Sequence, residues 1–127
     1  GAGYSVDQAL FTQKLTMEEQ VKKLVDESVY RMLSNSLVIC LFARKVYNMD
    51  TIMQGLEAVG EPRSKEWISD FTWKVFRKKY EFKKACGLDF DKLTIPEKLC
   101  HVTSATGVAN QESIKERIKL FRQMTGV

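Results

Sequence analysis

At 127 residues, with 44% hydrophobic and 28% charged side chains, 7 Gly and 2 Pro, the chain has the composition of one ordinary globular domain, which excludes disorder, collagen and low complexity. Its 20 Lys and Arg stand against 16 Asp and Glu, a net charge of +4 that permits nucleic acid without demanding it. The longest apolar run, Leu37 to Ala43, is far shorter than the ~20 residues a membrane span needs, so neither a membrane nor a nucleic-acid partner is expected.

Three cysteines, Cys40, Cys86 and Cys100, cannot all pair with one another. With no C-x-x-C spacing and a single histidine, a disulfide scaffold and a self-contained zinc site are both disfavoured, and a reducing, cytoplasmic setting is expected. The opening Gly1-Ala2-Gly3 without an initiator Met reads as a cloning remnant. Residues 4–127 are then expected to form a single helical domain.

Thr16 followed three residues later by Glu19 has the capping-box spacing, which predicts a helix start. Val21, Leu24, Val25, Val29, Met32 and Leu33 recur at the spacing of one buried face. Ser34-Asn35-Ser36 predicts a break or kink, because all three side chains compete for backbone hydrogen bonds. Leu37 to Ala43 is too apolar for an exposed face. Periodicity alone does not separate a buried strand from a buried helical turn, but no second segment offers a strand partner, so a helix is expected.

Asp50 is the expected cap of the next helix, which carries Ile52, Met53, Leu56 and Val59 and stops at Gly60. Ser64 caps a long helix with Trp67, Ile68, Phe71, Val75, Phe76 and Phe82 facing inward, closed by Gly87. Leu88 to Ile95 reads as a loop, Pro96 as the first position of a short turn through Cys100, and His101 to Ala109 as irregular. Asn110 caps a last helix with Ile114, Ile118, Phe121 and Met124 inward and Gly126 at its end. The fold class is therefore all-α, a compact bundle of five to six helices.

Little in this pattern carries chemistry. Lys74, Arg77, Lys78, Lys79, Lys83 and Lys84 alternate with aromatics, yet helical phase spreads them around the helix as a solvated face and not as a phosphate-tracking strip. His101 beside Cys100 is half a zinc site at best. Asp89 and Asp91 lack the EF-hand pattern, and Cys86 reads as a small buried hydrophobe. Cys40 admits two readings. It is either a core cysteine or a soft sulfur donor on a rigid apolar base, directly after polar groups able to bond a ligand.

The segment Asn35-Ser36-Leu37-Val38-Ile39-Cys40-Leu41-Phe42-Ala43 resembles the Asp-Ser-Leu-x-x-Cys-x-Phe segment near the C-terminus of tungsten-containing aldehyde ferredoxin oxidoreductases. Phe82 to Lys98, with Gly87 and Ile95-Pro96, is similar to the family's Phe-x-x-Arg-x-Gly-Phe, loop and Ile-Pro pattern, and Gln111 to Gly126 is similar to its last helix. The resemblance covers the chain from about Leu15 onward. It implies the C-terminal helical domain of a longer enzyme that transfers electrons to a ferredoxin-type acceptor.

In such an enzyme an N-terminal and a middle domain would complete the site, which holds a tungstopterin or molybdopterin and one [4Fe-4S] cluster. The resemblance makes Cys40 one cluster ligand and puts Asn35, Ser36 and Leu37 at the pterin. It leaves no catalytic residue in this chain, which is expected to be inactive in isolation. Two positions depart from the family pattern: Asn35 stands where an acid is usual, and Ala85 where an arginine is. The alternative reading is a free-standing helical protein-interaction domain with no catalytic role.

Overall fold

The computed structural model describes residues 15–43, 45–104, 107–108 and 110–127; residues 1–3 and Ala109 lie outside them. Four α-helices lie among the described residues: α1 (Met17–Ser36), α2 (Met49–Ala58), α3 (Lys65–Ala85) and α4 (Gln111–Thr125). Short 3-10 turns at Leu41–Ala43, Phe90–Lys92 and Glu97–Cys100 complete the helical content of the described residues. The all-α class stands, with four helices among the described residues where five to six were expected. A two-residue antiparallel pair, β1 (Thr103–Ser104) and β2 (Gly107–Val108), sits in the stretch expected to be irregular.

The helix starts are set by their caps. The Thr16 N–H donates to Glu19 Oε2 at 2.7 Å and the Glu19 N–H donates to Thr16 Oγ1 at 3.3 Å, the reciprocal pair that the capping-box spacing predicts. Ser64 accepts from the Trp67 N–H at 3.2 Å, and Asn110 accepts from the Glu112 N–H at 2.8 Å. The cap of α2 is Asn48 and not Asp50: the Asn48 carboxamide oxygen accepts from both the N–H and the hydroxyl of Thr51. Asp50 lies in the first turn instead, where its charge complements the helix dipole. Pro96 precedes the last 3-10 turn as its cap.

The chain divides into two compact units, and α1 and α3 each contribute residues to both. The unit of Ser28–Lys79 has its core where Leu33, Ile52 and Ile68 are buried together, with Tyr30, Ile39, Met49, Met53 and Leu56 packed against them. Thr72 and Phe76 are buried further along α3, and the Thr72 hydroxyl satisfies itself on the Ile68 carbonyl at 2.6 Å. The buried line of α3 is thus Ile68, Thr72 and Phe76. Trp67 is 50% exposed, because it lies well off that line in helical phase; Phe82, near the end of α3, is 70% exposed. Val59, at the end of α2, is also exposed.

The other unit takes the described residues up to Glu27 together with Tyr80–Val127. Val21, Val25 and Thr125 are buried there. Arg117 Nε and Nη2 donate to Gln20 Oε1 at 3.2 and 2.9 Å, which ties α4 to the start of α1. The Tyr80 ring lies 5.8 Å from Phe121 and 6.1 Å from Phe90. Burial pushes the Tyr80 phenol up from its ordinary pKa. Cys86, expected to be buried, is exposed, since it falls past the last turn of α3 where the helix has left its packing face.

Candidate functional site

The segment from Ser34 to Tyr47 carries every residue assigned to a site from the sequence. Asn35 and Ser36 form the last turn of α1, so the expected break falls immediately after them. The Leu37 N–H still bonds the Leu33 carbonyl at 3.0 Å. The Val38 N–H then turns back to the Asn35 carbonyl at 3.2 Å, and the Ile39 N–H to the Ser34 carbonyl at 2.8 Å. These two bonds make a Schellman motif with Val38 in its left-handed position. Val38 has φ 56°, alone among the described non-glycine residues in being positive.

The same hydrogen-bond pattern ends α2 and α3, with Gly60 and Gly87 in the left-handed position. Glycine adopts that conformation without steric cost, whereas a β-branched side chain there clashes with its own backbone. The motif brings Ile39, its residue after the left-handed one, back against the cluster that contains Leu33. That contact is the hydrophobic component of the motif and accounts for how the chain holds Val38 in place.

Beyond Ile39 the chain does not form the α-helix expected for Leu37 to Ala43. The Ala43 N–H bonds the Cys40 carbonyl at 3.0 Å, and the Ala43 carbonyl accepts from Val46 and Tyr47 at 2.8 and 3.2 Å. The Tyr30 hydroxyl on α1 closes the loop by donating to the Tyr47 carbonyl at 2.6 Å. The run expected to be buried is largely on the surface. Val38 is 91% exposed and Phe42 90% exposed, while Cys40 between them is also exposed. Cys40 is therefore not a core cysteine.

The structure does not bring the four assigned residues to one cavity. Ser36 and Leu37 line an apolar cleft of about 280 Å³ together with Leu33, Leu56, Ile68, Trp67 and Phe71; Asn35 and Cys40 do not. Ser36 Oγ donates to the Met32 carbonyl at 2.7 Å, which leaves that oxygen only as an acceptor. Asn35 is exposed. Trp67 and Phe71 stack with centroids 5.4 Å apart and planes 3° from parallel. Arg63 lies over the Trp67 ring at 5.2 Å and pairs with Glu61 at 2.5 Å. Composition and periodicity do not mark this cleft, because they assign Trp67 to the core.

The remaining candidates resolve as ordinary surface chemistry. Asp89 pairs with Lys92 at 3.1 Å and Asp91 with Arg122 at 2.7 Å. The hydrogen bond from Lys92, followed by that from the Asp91 N–H, lowers the Asp89 pKa. His101 Nε2 lies 3.5 Å from Glu97 Oε1 at the surface. Lys74, Arg77, Lys83 and Lys84 are exposed along α3, with Arg77 over Trp73 and Lys83 over Tyr80. Among the described residues, no group of three or more His, Cys, Asp or Glu side chains is placed to hold a metal. None of the described helices is long and apolar enough to cross a membrane.

No family model matches the chain, and no curated protein or solved structure matches it.

Proposed function

We propose that the chain is the C-terminal helical domain of an aldehyde ferredoxin oxidoreductase-like enzyme, as its resemblance to that family implies, and that Cys40 is one of four thiolates on a [4Fe-4S] cluster. The supporting observation is the exposure of Cys40 on a turn whose backbone is fixed at both ends. A cluster whose other three ligands come from another domain needs its fourth sulfur presented outward on a rigid base. The donor set of this chain fits a share of a cluster and not a whole one.

When bound, the cluster supplies one-electron transfer and the pterin-held metal the oxidation of the substrate. The contribution of this chain is positional. The Schellman motif and the Tyr30 bond would hold the Cys40 sulfur, and Arg44 and Lys45, the charged residues between Leu37 and Met49, add positive charge to the same segment. Asn35 would meet the pterin with a carboxamide, which both donates and accepts, where an acid would only accept. Ser36 can offer the pterin an acceptor lone pair, and Leu37 an apolar surface. The missing N-terminal and middle domains would cover Val38 and Phe42, and the ferredoxin-type acceptor would meet the assembled enzyme.

The second reading, a free-standing helical interaction domain, draws on the same two exposed side chains, which a protein partner would also cover. The two readings part at the gene. An in-frame C-x-x-C-x-x-x-C run upstream of residue 1 is expected for the enzyme; a start codon adjacent to residue 1 would overturn that reading in favour of the interaction domain. A cytoplasmic location belongs to the same proposal, because three cysteines without a disulfide scaffold suit a reducing compartment.

A further inference from the structure

We draw no further inference here: the strongest candidate, the apolar cleft between the last turn of α1 and the first half of α3 with the exposed Val38 and Phe42 turn that follows α1, carries nothing because no feature of the structure shows what covers it, the Arg63 charge at the cleft being already paired with Glu61.

Discussion

The Tyr30 hydroxyl donates to the Tyr47 carbonyl at 2.6 Å, so a side chain on α1 fastens the far end of the loop that carries Cys40. The near end is fastened by the bonds at Val38 and Ile39. A loop held at both ends loses less entropy when its thiol is engaged than a free one would.

The first prediction follows from that bond. Tyr30→Phe keeps the ring and its packing against the Leu33 cluster while deleting the donor. The expected loss is about 0.5–1.5 kcal/mol, read as a lower urea midpoint with an unchanged slope. A variant as stable as the parent would mean that the loop is not held through Tyr47.

Val38 sets up a test of opposite sign. A non-glycine residue in the left-handed region costs about 1–2 kcal/mol, and glycine offsets part of the relief by giving the unfolded chain more freedom. The difference between that relief and the glycine cost makes Val38→Gly stabilising for the isolated chain by roughly 0.5–1 kcal/mol. Val38 is almost fully exposed, so the substitution removes little packing. A destabilised variant would show that the valine side chain has contacts that its exposure does not suggest.

What could be read in advance divides along the range of the interactions. Thr16, Glu19, Ser64 and Asn110 were legible as caps because each bonds within three residues of itself, and Gly60, Gly87 and Gly126 as stops because their left-handed conformation is local. Asn48 and Asp50 are equally good caps by residue type, and only the bonds from Thr51 decide for Asn48. The break after α1 is legible in Ser34-Asn35-Ser36, but its form is not, because hydrophobicity cannot signal a valine in a glycine's conformation. A faint signal existed in Ile39 placed six residues after Leu33, the spacing at which the Schellman motif brings an apolar residue back to its helix. The outward position of Trp67 depends on which line of α3 meets the core, which composition does not reveal.

Burial separates two large apolar side chains that hydropathy treats alike. Ile68 is 1% exposed and belongs to the central cluster, so Ile68→Ala is expected to cost about 2–5 kcal/mol. Phe42→Ala, at the exposed turn, is expected to change stability by no more than about 0.5 kcal/mol. Chemical denaturation of both variants checks the contrast. Comparable losses at the two positions would contradict the placement of Phe42 on the surface.

Acid should loosen the helix starts. The Thr16 N–H and then its hydroxyl hold Glu19 below its ordinary pKa. The backbone N–H of Glu66, with the Ser64 hydroxyl, does the same for Glu66, and Lys92 does it for Asp89. A carboxyl whose pKa is lowered in the folded state adds stability above its unfolded value, about 4, and that stability is lost as pH falls through the lower folded value. The urea midpoint should therefore decline from about pH 5 downward. Glu19→Gln should make the decline shallower; an unchanged slope in that variant would remove Glu19 from the account.

The claim that Cys40 completes a cluster is tested most directly on the whole polypeptide encoded by the reading frame, purified without oxygen. Its iron and sulfide content and its low-temperature electron paramagnetic resonance are compared after Cys40→Ala and, as a control, Cys86→Ala. Cys86 is a second exposed thiol, to which the resemblance gives no ligand role. The account predicts about four irons per chain and a reduced [4Fe-4S] signal in the parent and in Cys86→Ala, with the signal lost or converted to a three-iron form in Cys40→Ala. A parent that binds no iron, or a cluster indifferent to Cys40→Ala, would contradict it.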